Sequence, residues 1–167
     1  LNRFDRQTKK FTHYNFINNK IPNPIHSNYI SVIRQDHLGN LWMGTSEGVE
    51  VLNKERTKFT YYTHSKESNS LSHQNILDIC EDRRNYIWIG TRNGLNLLNR
   101  QTQKIRRFST AEGLPDNIIS NIVEDREGNL WITTSKGLCR LAVSVVNGNV
   151  SFVVRNFSEA NKLQGKV

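Results

Sequence analysis

The residues best suited to chemistry in this sequence recur at fixed places in a repeated block of fourteen residues. The stretch DHLGNLWMGTSEGV (36–49) returns as DRRNYIWIGTRNGL (82–95) and as DREGNLWITTSKGL (125–138). Each block opens with a carboxylate, which could act as a general acid or base or bind a cation. Each has an indole six residues later, which could stack on a sugar or a base. The first and third copies agree at eight of fourteen positions, so the repeat is genuine.

Repetition favours structural roles for both residue types. A ligand site seldom needs the same residue in every repeat, so we interpret the tryptophans as rings that fill the space between neighbouring units. An Asp before a hairpin turn can accept hydrogen bonds from turn N–H groups, whereas no second acidic residue recurs at the spacing of a calcium site. The residues given structural roles, including a recurrent turn Gly, are Trp42, Trp88, Trp131, Asp36, Asp82, Asp125, Gly48, Gly94 and Gly137.

Motifs for enzymatic chemistry are missing from the sequence. It contains no nucleophile elbow, no phosphate-binding loop, no dinucleotide fingerprint and no zinc-protease motif. Cys80 and Cys139 fall at different positions of different repeats and have no clustered His partners. We therefore predict no catalytic residue, no metal site and no cofactor.

The ligand-binding candidates are instead residues that vary inside or between the repeats. The turn before each recurrent Gly differs from copy to copy, and the connections at 18–28, 64–75 and 110–117 are rich in Asn, Ser and His. Such groups suit a hydroxyl-rich ligand such as a glycan, although connections are also polar because they are solvated. The candidates are Glu47, Arg92, Asn93, Lys136, His26, His73 and Asp116.

The pattern around each block predicts four short β-strands. A short apolar run precedes the block, Gly-Asn or Asn marks a tight turn, and the run containing Trp follows. The recurrent Gly marks a second turn, and two further β-forming runs come after it. The tryptophans lie 46 (88 − 42) and 43 (131 − 88) residues apart. This period fits four-stranded propeller blades, whereas a pair of helices would need apolar residues at three and four spacing.

We therefore predict an all-β chain, a β-propeller fragment of about three and a half four-stranded antiparallel blades. Residues 1–14 resemble 95–108, the second half of a blade, so a single partial propeller is expected over 1–167. Its parts are a half blade at 1–15, blades at 28–64, 75–109 and 117–157, and a connection toward a further blade at 158–167. An open array leaves two apolar faces uncovered, so we also expect a homodimer or other self-association.

The net charge of +8 invites a nucleic-acid interpretation. Ten of the 23 basic residues, however, fall on the predicted fourth strands or in the turns before them. The fourth strand is the outer edge of a blade, and edges are guarded by charge, Lys especially, against pairing with other chains. A nucleic-acid site typically gathers cations and aromatic residues on one face, so we predict no nucleic-acid partner.

The block D-x-x-G-N-L-W-x-G-T-x-x-G-[LV], with IISNIVED (118–125) and GLPDN (113–117), closely resembles the two-component regulator propeller repeat. The middle copy departs from it at Asn85, and the third copy has Thr133 where Gly is usual. The resemblance implies the periplasmic sensor of a Bacteroidetes hybrid two-component histidine kinase, whose parent protein is anchored in the membrane. Such sensors detect oligosaccharides and control glycan utilisation through a phosphorelay.

By this resemblance the chain is part of a ligand-sensing propeller and is not itself an enzyme. Two alternatives stay open. The blades could be purely structural or a protein-interaction scaffold, with the ligand bound elsewhere. They could also belong to a propeller lyase or glycosidase, for which the acids beside the connections would be Glu47, Glu112 and Asp116.

Overall fold

The computed structural model describes residues 1–14 and 25–157. Within these ranges the chain forms fourteen β-strands and one 3-10 turn, Thr110–Glu112. The strands are β1 Asn2–Phe4, β2 Phe11–His13, β3 Ile30–Gln35, β4 Leu41–Thr45, β5 Val49–Leu52, β6 Phe59–Tyr62, β7 Ile76–Glu81, β8 Ile87–Thr91, β9 Gly94–Asn99, β10 Lys104–Phe108, β11 Ile119–Glu124, β12 Leu130–Thr134, β13 Gly137–Val146 and β14 Asn149–Phe157. No helix in the described part of the chain is long and apolar enough to span a membrane.

The strands form one two-stranded and three four-stranded antiparallel sheets, each ordered as in the chain. We name β1–β2 the half blade and β3–β6, β7–β10 and β11–β14 the first, second and third blades. Neighbouring blades meet through their first strands, β3 against β7 and β7 against β11. The predicted all-β propeller fold is thus confirmed. The predicted connection at 158–167 lies outside the described residues.

The first hairpin of each blade is closed by its Asp. The carboxylate of Asp36 accepts the backbone N–H of Asn40 at 2.8 Å, and Asp82 and Asp125 make the same bond four residues ahead, each at 2.9 Å. The residue three places after each Asp has positive φ, 87° at Gly39 and 67° at Asn85. Asn85 therefore supplies the left-handed conformation that Gly supplies in the other copies.

The same Asp also holds the Trp of its blade. The indole N–H of Trp88 donates to Asp82 Oδ2 at 2.9 Å, and the pairs in the other blades match it at 2.8 Å and 2.9 Å. Each ring also stacks on an aromatic residue of the outer strand, in the pairs Trp42–Tyr62, Trp88–Phe108 and Trp131–Phe157. One Asp thereby fixes both a turn and a ring at the edge of the core.

The following blade covers the ring. Trp42 and Trp88 are 4% and 0% exposed. Arg100 of the second blade lies 5.2 Å above the Trp42 ring, and Phe152 of the third blade lies 6.4 Å from the Trp88 ring. Trp131, whose blade has no successor among the described residues, is only partly buried.

A carboxylate at the end of each following first strand ties neighbouring blades together. Glu81 accepts the backbone N–H of His37 at 2.8 Å, and Glu124 accepts that of Arg83 at 3.0 Å. Both donors are the residues directly after an Asp of the preceding blade. In addition, Arg100 of the second blade donates to Asp36 of the first at 2.9 Å, which adds a charge-assisted bond to the first of these joints.

Candidate ligand-binding face

The two ends of the blades differ in chemistry. The connection face carries the turns after the second strands (46–47, 92–93 and 135–136) and the connections into the first strands. The aspartate face carries the Asp turns and the turns between third and fourth strands. Because antiparallel strands alternate in direction, all seven predicted ligand-binding residues lie on the connection face.

A threonine at the end of each second strand shapes the turns of the connection face. The hydroxyl of Thr91 donates to Gly94 O at 2.8 Å and accepts the backbone N–H of Asn93 at 3.0 Å. Thr45 and Thr134 make the same two bonds in their blades. The backbone is thereby fixed while the tip side chains stay exposed, those of Glu47, Arg92, Asn93 and Lys136.

Each connection into a first strand is anchored to the core by one buried apolar residue. Ile25, Leu71 and Leu114 are at most 4% exposed, and each lies five residues before the first strand's opening isoleucine. In the first two blades a polar side chain of the third strand accepts hydrogen bonds from backbone N–H groups that follow this residue. Glu50 accepts the N–H groups of His26 and Ser27, and the equivalent Asn96 accepts that of Ser72.

Glu50 is an unusual residue for a sheet interior. It is 3% exposed, and its second oxygen, Oε2, has no hydrogen-bond partner. Burial raises the pKa of Glu50, although the N–H bonds from His26 and Ser27 pull it down. The sequence interpretation missed this residue. The signal that could have found it is an acid inside the apolar third strand, in VEVL.

The structure brings two of the predicted ligand-binding residues together. Asp116 accepts a hydrogen bond from the Ser135 hydroxyl, and Lys136 Nζ lies 3.9 Å from the same carboxylate. The Ser135 bond is the main reason that the pKa of Asp116 is lowered. The other candidates lie with the first blade (Glu47 and His26) and the second (Arg92, Asn93 and His73). The His26 ring packs 3.9 Å from that of Tyr61, and His73 Nδ1 accepts the Asn75 N–H at 3.0 Å, so part of each ring already serves the fold.

A cleft of about 320 Å³ opens on the connection face beside the second blade. One predicted residue, Asn93, lines it, and the others that line it are Ser72, Arg107, Phe108, Ser109 and Glu112. The Asn93 side chain is exposed, and its backbone N–H is already satisfied by Thr91. The lining therefore offers an amide, hydroxyls, a guanidinium and a carboxylate beside the buried Phe108, a set that suits a ligand with many hydroxyl groups.

The cleft residues are positioned by local bonds. Arg107 donates to Ser70 O and to Glu67 O, each at 2.7 Å, which holds the connection at 65–70 against the outer strand. Glu112 accepts the Ser109 N–H at 2.6 Å and the Ser109 hydroxyl at 2.9 Å. The Ser109 N–H bond is the main cause of the lowered pKa of Glu112. The sequence interpretation did not place Ser109 here, although S-x-x-E at 109–112 is a recognisable capping box.

The aspartate face provides a test of the turn chemistry. A bond from the Asn129 amide is the largest influence on Asp125, and together with the Trp131 indole it outweighs desolvation, so the pKa of Asp125 lies far below its usual range. Because the folded pKa is below the unfolded value of about 3.9, the ionised carboxylate stabilises the fold above about pH 4. That stabilisation is lost as the pH falls through the folded pKa.

Asp125→Asn is therefore expected to make stability less dependent on pH in the acid range. Urea unfolding, followed by circular dichroism, should show a lower free energy of unfolding for the variant than for the unaltered chain at pH 6. This difference should shrink as the pH is lowered toward 2. Glu55→Gln, which removes a carboxylate from an exposed turn, is the matched control and should show no such convergence. A deficit that stays constant with pH would contradict the assignment.

Two other kinds of chemistry find little support in the described residues. No group of three or more His, Cys, Asp or Glu side chains there is placed to hold a metal ion. Both cysteines are free thiols. Burial raises the pKa of Cys80 and of Cys139 to about 11, so neither is a ready nucleophile at neutral pH.

Comparison with known proteins agrees with this geometry. The family described as two component regulator propeller matches residues 24–47, 70–93 and 113–136, which end at the three connection-face turns. No protein of curated function matches the chain significantly.

Solved structures share the fold. The extracellular domain of a B. thetaiotaomicron protein assigned to a hybrid two component system is 26% identical over 91% of this chain and 20% of its own, with a TM-score of 0.71. A second such domain from the same organism is 24% identical over 95% of this chain and 22% of its own, with a TM-score of 0.65. PorZ, a surface component of the type-IX secretion system of Porphyromonas gingivalis, is 18% identical over 80% of this chain and 25% of its own, with a TM-score of 0.54.

The chain spans about a fifth to a quarter of the length of these solved chains. Each of its three matched segments contains the buried connection residue, the Asp–Trp pair and the turn Thr of one blade, and ends directly before the recurrent Gly. The chain therefore contains three repeats of the two-component regulator propeller family.

Proposed function

We propose that this chain is part of the periplasmic ligand-sensing propeller of a membrane-anchored hybrid two-component histidine kinase, and that it binds an oligosaccharide on its connection face. The B. thetaiotaomicron relatives are extracellular domains of hybrid two component systems, which supports the sensor assignment. The observation that carries the ligand assignment is the polar cleft around Asn93. Binding there would favour one arrangement of the sensor over another and so pass a signal without chemistry in these blades.

The pKa values of the acids on the connection face favour binding over hydrolysis. A glycosidase needs a carboxylic acid with a raised pKa to protonate the leaving group. Of the three acids predicted for that role, Glu112 and Asp116 instead have lowered pKa values, because each accepts hydrogen bonds from neighbouring groups. Glu50, whose pKa is raised, is buried and does not line the cleft. Both are therefore suited to accept hydrogen bonds from ligand hydroxyl groups as carboxylates.

Asn93→Ala is expected to weaken oligosaccharide binding at least about tenfold, or about 1.4 kcal/mol, because it deletes a donor and an acceptor without touching a bond of the fold. Isothermal titration of the intact sensor with a panel of neutral and acidic oligosaccharides measures this effect. Gln101→Ala is the matched control, since it removes an exposed amide from the aspartate face.

The same titration separates the sensor from the scaffold interpretation. Weakened binding in Asn93→Ala, with intact binding in Gln101→Ala, places the ligand in this cleft. If the intact sensor binds a glycan and the substitutions Arg92→Ala, Asn93→Ala and Lys136→Ala all leave the affinity unchanged, these blades are a scaffold and the ligand lies elsewhere.

A further inference from the structure

A lysine stands at or directly before the start of the outer strand in the half blade and in the first two blades, and the third blade lacks it. The outer-strand aromatic residues Tyr62, Phe108 and Phe157 pair with the equivalent third-strand residues, which aligns the outer strands of the three blades. Four positions before these residues stand Lys58, Lys104 and, in the third blade, Val153; Lys10 holds the place in the half blade. Backbone hydrogen bonds support this alignment. The carbonyl oxygens of Lys10 and Lys58 accept the N–H groups of Asp5 and Asn53, the equivalent residues just after the third strand.

The third blade's outer strand is also the longest, and it has only one charged residue. β14 has nine residues, against three, four and five in β2, β6 and β10. Its single charged residue, Arg155, has its guanidinium 5.1 Å above the Phe157 ring. Val153, in the place of the lysine, is 72% exposed. A long outer strand without Lys is the kind of edge that pairs with another strand.

The free edge of β14 can form backbone hydrogen bonds with a further strand. β14 pairs with β13 on one side, and no strand of the described ranges pairs with its other side. The hairpin closes at the pair Val146–Asn149, so alternation places the N–H and C=O groups of Phe152 and Val154 on the free edge. The Arg106 bond to Val150 O at 2.5 Å agrees with this alternation, since Val150 belongs to the same outward set.

We propose that β14 pairs antiparallel with β14 of a second copy of this chain, across a two-fold axis at Val153. In this register Val153 lies opposite the partner subunit's Val153. Ser151 lies opposite the partner subunit's Arg155, and Phe152 lies opposite the partner subunit's Val154. No like charges are opposed. The same pairing of β10 about Lys104 or Arg106 would set like charges directly opposite each other, which is unfavourable.

The second copy is the occupant that the sequence of the strand favours. Read in opposite directions, SFVVR (151–155) places an apolar residue against an apolar one and the single cation against a hydroxyl. An interface of this kind uses one patch on both subunits and closes as a dimer. Each subunit then protects the edge that the lysine protects in its other blades.

Val153→Cys tests the register directly. The two Val153 residues form a non-hydrogen-bonded antiparallel pair, whose Cα atoms lie about 4.5 Å apart, within the range of about 4.4–6.8 Å that a disulfide spans. The variant chain should form a covalent dimer in a glutathione redox buffer, with the 153–153 bond identified by mass spectrometry. The matched control is Val123→Cys, at a valine that is 61% exposed on β11, on the opposite side of the sheet from β14, and it should crosslink at least about tenfold more slowly. The native thiols contribute little because their pKa is about 11.

Val153→Lys restores the residue found at the three equivalent positions, so it should fold normally. Sedimentation equilibrium should show the dimer of the unaltered chain weakened at least about tenfold in this variant. The proposal is overturned if the unaltered chain stays monomeric, if Val153→Cys crosslinks no faster than Val123→Cys, or if Val153→Lys associates as before. A monomeric chain that binds an unrelated extended peptide through β14 would also overturn it.

Discussion

Trp88→Ala is expected to lower the free energy of unfolding by about 3–5 kcal/mol, the range for truncation of a buried aromatic side chain. The ring is fully buried and packs against Phe108 of its own blade and Phe152 of the next. Its removal leaves a cavity between two blades. It also deprives the buried Asp82 carboxylate of the indole N–H at 2.9 Å. Urea unfolding at neutral pH, followed by circular dichroism, measures the loss.

Trp131→Ala is the matched control, because Trp131 occupies the same strand position and makes the same 2.9 Å bond to its Asp. The difference is that no described blade covers Trp131, which is only partly buried. We expect Trp131→Ala to cost less than half as much as Trp88→Ala. Equal losses would mean that the ring stabilises its own blade only, and not the joint with the next.

Gly90→Thr is expected to destabilise the fold by about 3 kcal/mol through overpacking. A Cβ at Gly90 would lie 2.8 Å from Ile119 Cγ2 and 2.9 Å from Ile119 O, the backbone of the next first strand. A backbone oxygen cannot swing away as a side chain could, so the blades would have to separate. At Gly44 a Cβ would instead meet side-chain atoms, Val32 Cγ1 of its own blade at 2.6 Å and Ile76 Cγ2 of the following blade at 2.7 Å.

The third blade supplies both the replacement residue and the control. Thr133 stands where the other blades have Gly, and it is exposed. Thr133→Gly should therefore change the free energy of unfolding by less than about 1 kcal/mol, the ordinary cost of a strand glycine. If Gly90→Thr unfolds at the same urea concentration as the unaltered chain, the close approach of Ile119 is not a determinant of stability.

The sequence was sufficient for the fold because the relevant interactions are local. A turn residue with positive φ, such as Asn85 at 67°, can be recognised from its residue type and its position in the repeat. A period in the forties allows propeller blades or helix pairs, and the strand pattern around the Trp then selects the propeller. Each of these signals lies within one blade, so a single repeat read against its copies was enough.

The joints between blades were not predictable in this way. Glu81 and Glu124 act on backbone N–H groups more than forty residues away, and nothing in their own repeat identifies that partner. The indole bond to Asp82 was missed for a related reason, since the turn alone already accounted for the Asp. Thr133, a departure from the family pattern, became understandable only when the structure showed which strand faces each Gly.

The candidate site was predicted in part. The choice of the connection face follows from counting turns along antiparallel strands, and that count put Asn93 on the face where the structure has the cleft. The cleft itself is built by Ser72, Arg107 and Ser109, whose positions depend on how the connections fold back over the outer strand. Connections carry no periodic pattern, so their contacts cannot be read from spacing.

Amide hydrogen exchange, measured by mass spectrometry on the intact sensor with and without a bound oligosaccharide, tests the central claim most directly. The account predicts slower exchange on binding in peptides covering 70–75, 91–95 and 107–113, which surround the cleft, and unchanged exchange in the Asp turns at 36–40 and 82–86. Protection confined to the Asp turns, or absent from all of these peptides while the glycan is bound, would contradict it.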